Sequence, residues 1–396
     1  MPSRPGTRAT RLAPNLFFAS NRPAPLPTRP ADMTPLHETL PRQSLARFAS
    51  SRDNNFNLIR FIAATAVLFS HSFALSSGDK RTEPLSQSLG ITFGSIAVDV
   101  FFLTSGFLIT ASLLARNELS SFVIARVLRI YPALVVAVLL TVLVVGFGFT
   151  ALSPSAFFTN TETWAYLART STLVTGVAHT LPGGFEHAPL PHAVNASLWT
   201  LPYEIAMYAM LVMLWLGVAA IRADTARWLP RAICTLALVA MVMHLADQSL
   251  LPKNAVRLVA MFFTGAAFYV YRAKIVLDAR VFAAAFLAIL LAGFSRPMFE
   301  VVYPLALPYV VFCAAYLPGG VLRRFNRMGD YSYGIYVYAW PVQQVIASVV
   351  PHISAGAMLA ASFAATFAMA AASWHLVEKS ALQWKRPRLF GPATAR

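Results

Sequence analysis

Few ionisable side chains interrupt the apolar runs of this sequence, and those that do are of kinds that move protons or hold anions. His71, Asp99 and Glu204 stand in three different runs. An imidazole titrates near neutrality, and a carboxylate beside it can orient the ring, which is an arrangement that activates a hydroxyl nucleophile. Arg60 precedes His71 by eleven residues. That is close to three helical turns, so the two share a face about 16 Å apart and one groove can see both. Arg60 at that depth suits an anionic donor, or simply snorkels to the nearer interface. Arg126 and Arg129 are three apart and lie on one helix face; paired guanidiniums bind phosphate well, and they serve equally as interfacial anchors. His244 and Asp247 fall near the end of a further run. His179, His187 and His192 with Glu186 follow no tight ligand spacing, so no metal centre is expected. Cys234 and Cys313 lie inside apolar runs and form no disulfide framework.

These residues need elements that hold them in an apolar medium. Of 396 residues, 57% are hydrophobic and 12% charged, with a mean hydropathy of +0.59, which is far from a soluble domain and reads as an all-α integral membrane protein. About ten transmembrane helices are expected, near 56–77, 92–114, 131–150, 198–221, 232–250, 254–271, 281–295, 299–317, 331–350 and 355–377. Placing both termini in the cytoplasm puts seventeen Lys and Arg in inner loops and the C-terminal tail, against six outside. The formal charge of +16 is then a topology signal, with no nucleic acid required. Residues 1–52, rich in Arg and Pro, read as a disordered cytoplasmic tail, 53–380 as the polytopic domain and 381–396 as a basic cytoplasmic tail. One outer connection is long, 151–197, with a surface or re-entrant helix expected near 164–178. In this orientation His71, Asp99 and Glu204 all lie about 10 Å below the outer face. They form either a base with its orienting acids or a polar cluster that only pins helices. Tyr331, Tyr333, Tyr336, Tyr338 and Trp340 are expected as interhelical packing and polar glue.

Several blocks together resemble the membrane acyltransferase-3 family. Asn57-Leu58-Ile59-Arg60-Phe61 through Phe69-Ser70-His71 is similar to its first-helix Arg and His. Val98-Asp99-Val100-Phe101-Phe102-Leu103-Thr104-Ser105-Gly106 resembles its second-helix block, and Phe122, Arg126, Arg129, Ile130, Tyr131 and Pro132 its double-Arg motif. Asn195-Ala196-Ser197-Leu198-Trp199-Thr200-Leu201-Pro202-Tyr203-Glu204 looks like the block opening its fourth helix, and Gly329-Asp330-Tyr331-Ser332-Tyr333-Gly334 its penultimate helix. The blocks run in family order over about 55–380. Departures are Ala339, where many members carry a His, and Ser380, where many carry a Pro. The first removes a second candidate base. No hydrolase-like domain is expected after the membrane region.

The resemblance implies an acyltransferase of groups other than aminoacyl, multi-pass in the plasma (inner) membrane, with no bound cofactor. It would move an acetyl or other short acyl group from acyl-CoA to a hydroxyl of a surface polysaccharide, an oligosaccharide or a lipid-linked glycan. By it His71 is central to transfer, with Asp99 or Glu204 orienting the ring. Arg60, Arg126 and Arg129 bind the donor, and Ser105, Asn195, Trp199, Tyr203, Tyr331 and Ser332 support the acceptor or the scaffold. The competing classes are a proton-coupled secondary transporter, with His71, Asp99 and Glu204 as relay, and a non-catalytic membrane scaffold. No inverted repeat is visible in the spacing of the apolar runs.

Overall fold

The computed structural model describes residues 43–384 apart from 52, 116–117, 223 and 247–250. Asp247, most of the expected N-terminal tail and the tail from 385 onward therefore lie outside the described residues. Among the described residues the regular elements are helical, and extended pairing is confined to the single bridges Ser44 to Val276 and Thr150 to Gly184. The helices at the expected spans are α1 (Phe56–Ser77), α2 (Phe93–Ala115), α3 (Leu119–Val144), α4 (Leu201–Ala220) and α5 (Thr225–Ala246). They continue with α6 (Lys253–Val270), α7 (Ala279–Ala292), α8 (Arg296–Tyr316), α9 (Ser332–Val349) and α10 (Ala355–Ser373).

Seven helices among the described residues are long and apolar enough to cross a membrane, namely α1, α2, α3, α4, α5, α8 and α10 with their short extensions. The other three fall short for visible reasons. Helix α7 has 14 residues, α6 opens with Lys253 and Arg257, and α9 carries Ser332, three tyrosines, Gln343 and Gln344. Much of α6 and α9 is buried among other helices, where a polar group needs a protein partner rather than lipid compatibility.

Helix α1 packs against α2, α9 and α10, and α2 packs most extensively on α6. Two glycines make that last approach possible. A Cβ on Gly106 would stand 1.8 Å from the Phe262 carbonyl oxygen, and one on Gly265 2.0 Å from that of Leu103. No other residue allows the backbones to come so close. Asp99 lies seven residues, two turns, before Gly106, so the glycine contact turns Asp99 toward α6 as well.

Two boundaries differ from expectation. Helix α3 begins at Leu119, and Pro132 sits inside it, so Arg126 and Arg129 project from a continuous helix rather than an inner loop. The reason is that hydropathy locates where a run becomes apolar, which is not where the backbone becomes helical. Residues 45–49 form a short helix, and Leu45 and Ala46 donate to the carbonyls of Ile275 and Arg272. The folded part therefore starts before residue 53.

The connection 151–197 opens with two capped helices, Pro154–Thr159 and Thr161–Thr172. The second lies at the surface, with Trp164 53% exposed. From 173 the chain turns inward without helix, burying Leu181, Phe185, Val194 and Asn195. It is stitched to α9 by Trp340 Nε1 donating to Ala193 O at 2.7 Å and by Gln344 Nε2 donating to the carbonyls of Leu190 and Ala193.

Candidate active site

Three cavities follow one another along the shared face of α1. At the His71 end lies one of about 230 Å³, walled by His71, Ser70, Lys80, Glu83, Ser197, Trp199 and Trp340 among others. It shares Val98 and Tyr336 with a narrow neck of about 40 Å³ lined by Ser105, Ser332 and aromatic rings. The neck in turn shares Arg60, Ser105 and Glu204 with a polar cavity of about 400 Å³ that also reaches Arg126, Arg129, Tyr208 and Asp330. The spacing of Arg60 and His71 thus marks the two ends of one path, as their common helix face requires.

His71 meets Ser197, whose Oγ lies 3.5 Å from Nδ1, and the edge of the Trp340 ring at 4.7 Å between centroids. Ser197 belongs to a tight turn, Ala196–Thr200, that leads into α4. Its carbonyl accepts from the Tyr336 hydroxyl. Because one phenol has a single proton to give, Thr200 Oγ donates to Tyr336 across their 2.5 Å contact. Asn195, 1% exposed, donates from Nδ2 to Val337 O at 3.0 Å, so it supports the backbone of the turn. Trp199 lines the cavity and packs edge-on against Tyr203 at 5.7 Å. Glu83, 2% exposed, is occupied in accepting from the backbone N–H groups of Leu85, Ser86 and Phe93.

Neither carboxylate expected beside His71 is there. Asp99 is fully buried and accepts from the Tyr303 hydroxyl at 2.9 Å, with Arg257 Nε 3.5 Å from its other oxygen. It bridges α2, α6 and α8. Glu204 accepts from Tyr208 and lines the neck and the polar cavity with Arg60. Counting residues from the membrane face misplaces Glu204 because α4 does not start at the bundle surface. The inward-turning connection delivers Ser197 and Thr200 alongside Tyr336, in the second turn of α9, so Glu204 is already well inside when its helix begins.

At the Arg60 end, residues remote in sequence form an ion cluster. Arg129 reaches Asp330 at 2.5 Å and Glu378 at 3.2 Å, and Arg60 reaches the same Asp330 oxygen at 3.2 Å. Ser332 Oγ donates to the other Asp330 oxygen at 2.5 Å. Asp330 stands in the connection before α9; burial works to raise its pKa, but Arg129 and Arg60 outweigh that and pull it down to about 2. Arg129 also lies over the Tyr333 ring, 5.6 Å from its centroid, so it is held on three sides. Arg126 lines the polar cavity and lies 6.0 Å from the Phe122 ring centroid. Asp330 and Glu378 are additions to the expected site. Their signal in the sequence is an acid in the block 329–334 and another at the end of the last apolar run, with buried arginines elsewhere in need of counter-charge. Tyr331 is not in these cavities: its hydroxyl donates to Met328 O at 2.7 Å and its ring packs on Phe367 and Trp374. Among the described residues, no three His, Cys, Asp or Glu side chains gather closely enough to hold a metal ion.

Residues 53–377 match the acyltransferase domain model of the acyltransferase-3 family. The chain is 28% identical over 351 residues to an O-acetyl transferase of Shigella phage Sf6, covering 85% of this chain and 98% of that protein. It is 30% identical over 363 residues to nodulation protein 10 of Rhizobium leguminosarum bv. viciae, covering 85% of this chain and 95% of that one. No solved structure matches it. With a series of adjoining cavities between a buried arginine cluster and a histidine, and a family model covering most of the length, the chain belongs to the acyltransferase-3 family and is a membrane acyltransferase.

Proposed function

We propose that the protein carries an acetyl or other short acyl group from acyl-CoA to a hydroxyl of a carbohydrate acceptor, a surface polysaccharide, an oligosaccharide or a lipid-linked glycan, in the plasma (inner) membrane. The observation that carries this reading is the series of cavities from Arg60, Arg126 and Arg129 to His71. A donor with an anionic head and a long flexible arm fits such a path, its head among guanidiniums and its thioester beyond the neck. Arg129 gives its fork to Asp330 and Glu378 and so forms part of the wall, and Arg126, which lines the same cavity, is assigned to the donor's phosphates.

The proposed topology is ten spans with both termini cytoplasmic. It is supported by the seventeen-to-six charge split and by a consistency that alternation demands. The start of α1, the first half of α3, the start of α9 and the end of α10 all belong to the cytoplasmic side in that scheme, and their residues Arg60, Arg129, Asp330 and Glu378 meet. His71 and the cavity with Trp199 and Trp340 then open on the opposite side, where the aromatic rings offer a sugar a stacking surface.

In the transfer step the acceptor hydroxyl gives its proton to His71 as its oxygen attacks the thioester carbonyl. The O–C bond forms, the C–S bond breaks, and the proton passes from the imidazolium to the departing sulfur. The test is purified protein in nanodiscs with radiolabelled acetyl-CoA and a panel of glycans. Label should move to a glycan with the parent protein and fall by about 10²–10⁴-fold in His71→Ala. Parental turnover in that variant would remove His71 from the reaction, and gradient-driven solute uptake without transfer would mean a transporter.

A further inference from the structure

A base in an apolar site needs something to fix which nitrogen carries its proton, and the two carboxylates suited to that task are engaged elsewhere. Asp99 is held by Tyr303 and Arg257, and Glu204 by Tyr208. What stands at His71 Nδ1 is the hydroxyl of Ser197, at 3.5 Å. That residue is 2% exposed, and a buried hydroxyl without a partner is unfavourable. Its position is closely determined. Tyr336 holds its carbonyl, the Asn195 side chain two residues earlier donates to Val337 O, Thr200 closes the turn on Tyr336, and Ala193 is held by Trp340, whose ring packs against the imidazole. Such fastening of a short 3-10 turn at one side chain is what a positioned second residue requires. The contact is long for a hydrogen bond, as is common before substrate closes a site.

We propose that Ser197 is a positioning residue for acyl transfer: its Oγ accepts from His71 Nδ1–H and so leaves the Nε2 lone pair to take the acceptor's proton. The proposal rests on the acyltransferase reading and assigns within it the orienting task that no carboxylate performs. Through the step Ser197 keeps its own proton and forms no bond to the acyl group. The acceptor's proton goes to Nε2 and then to sulfur, while Nδ1–H stays directed at Ser197 and steadies the imidazolium. A neutral partner of this kind contributes a rate factor of about three to ten, less than an ionised acid would.

The test uses the full-length protein in nanodiscs and compares Ser197→Ala, Ser197→Thr, Ser197→Val and His71→Ala. With acetyl-CoA and an acceptor that the parent modifies, Ser197→Ala should lower kcat about three- to tenfold and leave both KM values within about twofold. Ser197→Thr should recover most of the rate, whereas Ser197→Val, of the same shape but without a hydroxyl, should not. Adding Ser197→Ala to His71→Ala should cause no further loss. The Thr and Val pair keeps the test decisive if the Ala variant is poorly folded. Unchanged kcat in Ser197→Ala, equal rates for Thr and Val, or KM and kcat falling together would overturn the proposal. So would an acyl adduct on Ser197 in the parent, seen by intact-mass measurement after incubation with acetyl-CoA alone, because the serine would then be the nucleophile. Failure of the parent to acylate any acceptor would count against the acyltransferase reading itself, and the role of Ser197 would fall with it.

Discussion

Replacing Asp330 with Asn keeps the shape of the side chain and removes the charge that Arg60 and Arg129 share. All three side chains are largely withdrawn from solvent, at 12% exposure for Asp330, 21% for Arg60 and 14% for Arg129, so water in the adjoining cavity takes over only part of the solvation of the guanidiniums. Breaking a buried pair by removing one partner typically costs about 3–5 kcal/mol. Glu378 still faces Arg129 at 3.2 Å, which places the expected loss toward the lower end, about 3 kcal/mol. At roughly 2–4 °C per kcal/mol for a domain of a few hundred residues, the melting temperature should fall by about 6 °C or more. The assay is intrinsic-fluorescence melting of detergent-solubilised Asp330→Asn beside the parent. Asp330's own share of the deficit should be flat from pH 5 to 8. A carboxylate whose folded pKa is depressed to about 2 from an ordinary 3.8 contributes its full stabilisation above that ordinary value and loses it only as pH falls toward 2. Arg129→Gln in the same chain should recover part of the loss, since the neutral pair leaves one fewer buried charge unmatched. A melting temperature within about 2 °C of the parent, or a double variant no better than the sum of the singles, would refute the cluster as a stability element.

Asp99→Asn should lower stability, because it unpairs Arg257 and weakens the Tyr303 bond, while kcat per folded molecule stays within about threefold; a loss of 10²-fold or more at full folding would return Asp99 to the chemistry. Arg126→Ala should raise the KM for acyl-CoA by about tenfold or more and leave acceptor KM unchanged, with Lys restoring it only in part; Arg129→Ala should instead lower the yield of folded protein. Alkaline phosphatase fused after residue 175 should be active and after residue 225 inactive, and the reverse pattern would overturn the proposed orientation.

Much of this protein is legible in its amino-acid sequence. Helices follow from apolar length, and the shared face of Arg60 and His71 follows from eleven residues at 3.6 per turn. The resemblance to the acyltransferase-3 family rests on motif blocks of consecutive residues. These are properties of short stretches, and local rules suffice for them. The partners of each group are a different matter. Residue counting gives Asp99 and His71 one depth, and depth along a helix says nothing about rotation around it. Rotation of α2 is decided by the contact of Gly106 with Phe262 and of Gly265 with Leu103, and that contact carries Asp99 to Arg257 and Tyr303. A glycine two turns from an aspartate on the same stripe is the available sign in the sequence. Glu204 is misplaced by the same counting because its helix starts inside the bundle, and only the hydrogen bonds of 190–200 to α9 show that. Asp330 and Glu378 come from opposite ends of the last two long helices, and they meet Arg129 across 201 and 249 residues of chain. Period and hydropathy are one-dimensional and set each helix alone; which charges end up paired is decided when ten helices choose their rotations and offsets together, and that choice is made by backbone approach and buried polar contacts that no single segment contains.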